Sequence, residues 1–116
     1  MKKKVGIIGF GKMGQIRFNV IKKLDIFKVV SIYDPGSTKK NKLFVNSLDD
    51  LIDNKNIEII FICTPNYLNK QLTIKSLKKK KHVFCEKPPG LNANDIKKVI
   101  VAEKKYKKIL MYGFNH

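Results

Sequence analysis

Residues 4–14 constrain this chain more than any other stretch. The apolar run Lys4-Val5-Gly6-Ile7-Ile8 leads straight into Gly9-Phe10-Gly11-Lys12-Met13-Gly14, and an amphipathic segment follows without a break. A strand that turns on glycine and enters a helix at once is the start of a strand–helix–strand unit. In that setting each glycine has its own task. Gly9 permits the tight turn, Gly11 leaves the backbone open to a pyrophosphate, and Gly14 lets the helix pack closely on the strand. The first helical turn presents unpaired N–H groups and a partial positive charge, which suit phosphates. Phe10, Lys12 and Met13 complete the loop and are expected to take part in binding. Asp34 stands twenty residues beyond Gly14, at the end of the next apolar run Val29-Val30-Ser31-Ile32-Tyr33. A carboxylate there accepts hydrogen bonds from an adenosine ribose. The competing reading is a structural βα turn followed by an ordinary Asp-Pro-Gly turn. The joint register of strand, glycines, helix and acid favours dinucleotide binding.

Strand-like and helix-like patterns alternate along the rest of the chain. Residues 4–9 read as a strand and 12–24 as a helix with Met13, Ile16, Val20, Ile21 and Leu24 at helical spacing. Residues 27–33 read as a strand and 43–45 as a short one. Ser47 is placed to cap a brief helix over 48–54, with Asp50 in the capping-box position. The nearly continuous apolar run 57–63 suits a strand buried on both faces. Residues 67–79 form a helix with Leu68, Leu72 and Leu77 inward, and 82–85 a strand with His82 at its amino end, on the surface. Asn92 caps a helix over 93–107, with Asp95 three residues on, and 109–114 is the closing strand. Such alternation predicts right-handed crossovers and an α/β fold: a Rossmann doubly wound parallel sheet of about six strands, with helices on both faces. With 116 residues the chain is one domain, able to bury roughly two-thirds of its unfolded surface.

Composition narrows the function classes. The net charge of +16 raises a nucleic-acid-binding module as one reading. Yet 24 of the 25 basic residues are lysine, only Arg17 is arginine, and the lysines are spread over every helix. Base readout favours arginine, and single-strand binding favours aromatic platforms. With alanine only at 93 and 102, the lysine excess reads as the codon bias of an A/T-rich genome. No apolar run approaches the ~20 residues of a membrane span, and the basic amino terminus lacks the cleavage site of a signal peptide. A cytoplasmic protein is expected. Cys63 and Cys85 each end an apolar run and read as buried free thiols. No His/Cys cluster has metal-ligand spacing.

In an open parallel sheet ligands bind at the carboxyl ends of the strands, and the unusual segments fall there. After the run 57–63 come Thr64, Pro65 and Asn66; after 82–85 come Glu86-Lys87-Pro88-Pro89; the last strand ends in Gly113-Phe114-Asn115-His116. If the 57–63 strand lies beside the first, Thr64-Pro65-Asn66 faces the glycine loop and lines the cofactor's second half. Prolines after Lys87 fix the backbone, so Glu86 and Lys87 are held rigidly. A lysine beside a nicotinamide and an alcohol can hold the hydroxyl and ease its deprotonation. The competing reading is a solvated surface pair.

The glycine loop, Cys63-Thr64-Pro65-Asn66, His82-Val83-Phe84-Cys85-Glu86-Lys87-Pro88 and Gly113-Phe114-Asn115-His116 occur in order over essentially the whole chain. Together they resemble the N-terminal NAD(P)-binding domain of the glucose–fructose oxidoreductase / inositol dehydrogenase (Gfo/Idh/MocA) family. The resemblance implies an oxidoreductase that transfers hydride between nicotinamide and a ring carbon of a sugar, inositol or nucleotide-sugar. It implies pyrophosphate binding by Gly9, Gly11 and Gly14, ribose selection by Asp34, and nicotinamide contacts from Thr64, Pro65 and Asn66. It also implies cofactor contact from Glu86, Lys87 and Pro88, with Lys87 catalytic. Family members add a second domain that supplies most substrate contacts and the usual homo-oligomer interface. This chain stops where that domain would begin, so cofactor binding without turnover is expected. Asp34 repels a 2′-phosphate and favours NAD; Ser37, Lys39 and Lys40 just beyond it are positioned to accept one, leaving NADP as the alternative. A non-catalytic redox-sensing domain on the same fold is the other reading, marked by an attached helix-turn-helix that this sequence lacks.

Overall fold

The structure, a computed structural model, describes residues 2–38, 41–85 and 93–112, apart from the side chains of Asn66, Ala93, Asp95 and Tyr112. Chain order is β1 (Lys3–Ile8), α1 (Lys12–Lys22), β2 (Phe27–Tyr33), α2 (Leu48–Ile52), β3 (Ile59–Ile62), α3 (Asn66–Lys78), β4 (His82–Cys85), α4 (Ala93–Tyr106) and β5 (Leu110–Tyr112). The strands form one parallel sheet in the order β2-β1-β3-β4-β5. The chain moves outward from β1 to β2, then returns past β1 to β3 and continues the other way. The reversal between β1 and β3 is the switch point of a doubly wound sheet.

Helices cover both faces. On one, α2, α3 and α4 bury Leu51, Ile52, Leu77 and Ala102 against Ile8, Ile60, Ile62, Val83 and Cys85. On the other, α1 sets Ile21 on Val5, Ile7, Ile32 and Phe10. Each fully buried aliphatic side chain contributes about 1.5–3 kcal/mol. Ser47 caps α2 as expected, its Oγ accepting from the Asp50 N–H at 3.1 Å. Cys63 is half-buried and Cys85 buried, and the two are not joined in a disulfide.

Four expectations need correction. The expected short strand at 43–45 shrinks to one parallel bridge, Ile32 to Phe44, so the sheet of described residues has five strands rather than about six. The cause is local: Asn41 Oδ1 accepts from the Leu43 N–H at 2.8 Å, and its carbonyl accepts from Phe44 at 3.1 Å. That turn curls the chain so that a single residue meets the sheet edge. Ile16 and Val20 on α1, and Leu24 just past its end at Lys22, are 41%, 46% and 43% exposed rather than inward. Gly14 must face the β1–α1 loop, and at 100° per residue Phe18 and Ile21 share its side while Ile16 and Val20 point away.

On α3, fully buried Asn69, Thr73 and Ser76 join Leu77 on the inner side. Ser76 Oγ donates to the Leu72 carbonyl at 2.7 Å. Finally, His82 is half-buried rather than a surface residue: its Nδ1 accepts from the Ile109 N–H at 3.1 Å.

Candidate functional site

The carboxyl ends of β1, β2 and β3 are stitched together by backbone hydrogen bonds. Gly9 N–H donates to the Tyr33 carbonyl at 2.9 Å, and Cys63 N–H to the Ile8 carbonyl at 2.8 Å. A cleft of about 580 Å³ opens above this junction. Its floor is Ile8, Gly9 and Gly11. One wall is Tyr33, Asp34, Pro35 and Leu48; the other is Cys63, Thr64 and Pro65 with Tyr67, Leu68, Gln71 and Leu72 from α3. The volume is within the ~300–1,000 Å³ usual for ligand sites.

The three glycines are distinguished by what surrounds them. Gly9 has φ +90°, and a Cβ there would stand 2.7 Å from the Cys63 carbonyl oxygen, so this position is closed to other residues on two counts. A Cβ on Gly14 would overlap the Gly9 carbonyl oxygen. These two glycines therefore serve the fold. Gly11 is different: a Cβ there would meet nothing within 4 Å. It is also the N-cap of α1, with no side-chain cap and no acidic residue in the first turn. Uncapped N–H groups that open onto a cleft, with no acid in the first turn of the helix, fit a diphosphate.

Asp34 fastens the glycine loop from across the junction. Its Oδ2 accepts from the Phe10 N–H at 2.7 Å and its Oδ1 from the Gly36 N–H at 3.0 Å. The carboxylate thus stands at the rim with its plane fixed by two backbone donors. Phe10 itself is 8% exposed, with its ring edge-on to Phe18 at 5.7 Å and Phe44 at 5.4 Å. Its side chain belongs to the core and its N–H to Asp34. Gln15 braces the same loop, Nε2 donating to the Phe10 carbonyl at 3.1 Å. Lys12 and Met13 open α1, Lys12 exposed and Met13 half-buried, and neither side chain lines the cleft.

Asn69 is a positioning residue that sequence reasoning missed. It is fully buried one turn into α3. With its amide nitrogen turned toward the loop, it donates to Thr64 Oγ1 at 2.9 Å and to the Thr64 and Pro65 carbonyls at 3.3 Å. One side chain thereby fixes the Thr64-Pro65 wall of the cleft. A polar residue at an inward position of α3 was the available signal. Pro65 is the N-cap of α3 and Asn66 its first residue. Glu86, Lys87, Pro88, Pro89, Asn92, Lys39, Lys40 and residues 113–116 lie outside the described residues, as do the side chains of Asn66 and Asp95.

A model of the oxidoreductase family described as "NAD-binding Rossmann fold", GFO_IDH_MocA, matches residues 3–114. This chain belongs to the Gfo/Idh/MocA family. Among relatives, it is 34% identical to a myo-inositol 2-dehydrogenase of Thermotoga maritima, over 97% of this chain and 36% of that protein. It is also 34% identical to a 2,7-anhydro-N-acetylneuraminate hydratase of Escherichia coli, over 93% of this chain and 30% of that one. Among solved structures, the myo-inositol 2-dehydrogenase of Lactobacillus plantarum superposes with a TM-score of 0.86 at 28% identity, covering 97% of this chain and 36% of that one. Biliverdin reductase of Synechocystis, solved with biliverdin and NADP+, superposes at 0.87 with 26% identity, covering 94% of this chain and 37% of that one. The chain thus spans about a third of the length of these relatives. The family is described by an NAD-binding Rossmann fold, and the cleft lies at the switch point of that fold. No described helix is long and apolar enough to cross a membrane, and no three described His, Cys, Asp or Glu residues group as metal ligands.

Proposed function

We propose that this chain is the cofactor half of an NAD-dependent dehydrogenase acting on a ring hydroxyl of a sugar, inositol or nucleotide-sugar. The observation that carries the reading is the uncapped α1 start, where a Cβ on Gly11 would meet only open space. Backbone N–H groups of the first turn hold the diphosphate there. Asp34, oriented by Phe10 and Gly36, accepts from the adenosine ribose and repels a 2′-phosphate, which favours NAD over NADP. Tyr33, Pro35, Leu48, Leu68 and Leu72 give the adenine an apolar slot. The Thr64-Pro65-Asn66 loop, braced by Asn69, borders the nicotinamide half. NAD, when bound, supplies the hydride acceptor. Lys87 holds the substrate hydroxyl and takes up its proton, with Glu86 beside it; both follow in sequence from the carboxyl end of β4. Most substrate contacts come from residues outside this Rossmann unit, so the chain alone binds cofactor without turnover.

Paired titrations with NADH and NADPH test the reading. Saturable NADH binding at least several-fold tighter than NADPH is expected. Equal or tighter NADPH binding overturns the preference, absence of binding by folded protein overturns the cofactor role, and NADH formation by this chain with a polyol panel overturns its inactivity.

A further inference from the structure

A second recess lies at the opposite, amino edge of the sheet, and the cofactor reading does not use it. It encloses about 340 Å³ among Lys55, Lys79, Lys80, Lys81, Lys108, His82, Ile57 and Glu58. Five lysines face one glutamate. The nearby acids are already engaged: Glu58 pairs with Lys3 at 3.4 Å and Asp53 with Lys79 at 3.2 Å. Lys55, Lys80 and Lys108 take part in no ion pair among the described residues. Helix C-termini attract lysines through the macrodipole, which accounts for a cation at the end of α3 but not for five around one concavity.

Apart from the Glu58 carboxylate, the polar side chains of the recess are donors. Lys81, 6% exposed, spends two of its protons on the Asn54 and Ile57 carbonyls at 2.7 and 2.8 Å. His82 Nδ1 accepts from the Ile109 N–H, so the proton of the neutral ring sits on Nε2, a donor. Lys80 has φ +63°; at the end of α3 this left-handed position ordinarily holds glycine, and here it carries a charge to the rim instead. Burial pushes the pKa values of Lys81 and His82 down, against the upward pull of Asp53 on Lys81 and of Glu58 on His82, and Lys108 adds to the lowering of both. Positive charge outnumbers negative charge around the recess, where five lysines meet Glu58 and the nearby Asp53.

We propose that this amino-edge recess is an anion site for a compact, multiply charged phosphate. Its volume is at the small end of ligand pockets, too small for an extended polyanion to enter. Single exposed ion pairs are weak, so occupancy at cellular ionic strength requires several charges on one ligand. Lysines act as compact point charges, so they favour the ligand with the most charge in the least volume, which is a compact phosphate.

Inorganic pyrophosphate is the probe, with citrate as the carboxylate control. Each is titrated into isotope-labelled chain at pH 7 and about 0.1 M salt, with shifts followed at the Lys80, Lys81, Val83 and Ile109 amides and the His82 ring. Saturable pyrophosphate shifts at these residues are expected, with citrate several-fold weaker. Lys80→Gly suits the φ of that position, so Lys80→Gly/Lys108→Ser keeps the fold, verified by its thermal midpoint. It should weaken pyrophosphate about tenfold, while the exposed pair Lys97→Ser/Lys98→Ser on α4 changes affinity less than about twofold. No saturation at these residues, or equal weakening by both variants, refutes the site; citrate binding as tightly refutes the phosphate selectivity. Pyrophosphate entering the cofactor cleft instead would move Gly9 to Met13, so success or failure of the two sites is read separately.

Discussion

Replacing Gly11 with alanine should separate folding from cofactor binding. Its φ of −74° and ψ of −156° are accessible to alanine, and the added methyl meets nothing within 4 Å. Less entropy in the unfolded chain stabilises by about 0.4–1 kcal/mol, while alanine is a poorer N-cap than glycine by several tenths. The net change is under about 1 kcal/mol, or a thermal midpoint shift below about 4 °C for a domain of this size. Binding should respond differently. The methyl stands where a diphosphate approaches the first turn of α1. Loss of two charge-assisted hydrogen bonds, each about 1.5–3 kcal/mol, lowers affinity by about 150-fold or more. Gly14→Ala is the paired control: its methyl overlaps a backbone carbonyl that has no room to retreat, so stability falls by about 1–3 kcal/mol. Calorimetric titration with NADH and thermal denaturation of parent and both variants provide the measurement. If Gly11→Ala binds NADH within twofold of the parent, the diphosphate does not lie on this turn. If Gly11→Ala unfolds the chain, the assignment of open space around it is wrong.

Asn69→Leu should destabilise the chain by about 2–4 kcal/mol by taking a donor from the Thr64 hydroxyl and carbonyl, while the Pro65 carbonyl keeps the Leu68 N–H; this is read as a lower urea midpoint, and NADH binding should weaken through the loosened wall. Asp34→Ser should bring the NADH and NADPH affinities toward equality and loosen the glycine loop, since the Phe10 N–H loses its partner; paired titrations report the first effect and amide exchange at Phe10 the second. His82 titrates below its ordinary value because of burial and then Lys108. The unfolded chain therefore takes up this proton first as pH falls, and the stability it contributes is present above pH 6.5 and lost as pH drops through the folded value. Denaturation midpoints between pH 7 and 5 should fall less in His82→Asn than in the parent, and an unchanged difference contradicts the assignment.

Much of the cleft was legible because its determinants are local. Glycine at three fixed offsets after an apolar run gained its reading from the strand and helix that flank it, and Asp34 directly follows the next apolar run. The same locality explains the misses. Periodicity gave α1 an apolar row at Ile16, Val20 and Leu24, but helix rotation is set by the contact between Gly14 and Gly9 across the loop, which no spacing rule contains. The 43–45 run has strand composition, and the turn at Asn41 overrides it. Asn69 reads as a surface polar residue until α3 is docked on the sheet, where its amide becomes the brace of the opposite wall. His82 likewise gains its Ile109 partner only when β5 closes beside β4.

The order of elements, the parallel sheet and the glycine turn follow from the sequence by itself, because each rests on residues within a few positions of one another and on steric rules that hold in any context. Which face each helix buries, which glycines guard the backbone and which one borders open space, and how lysines from three separate loops come to share one recess were decided by tertiary structure. Most of those outcomes depend on contacts between elements distant in sequence, such as Gly9 with Cys63 and Lys81 with Asn54, and such contacts acquire their energy only once the strands have been ordered around the switch point.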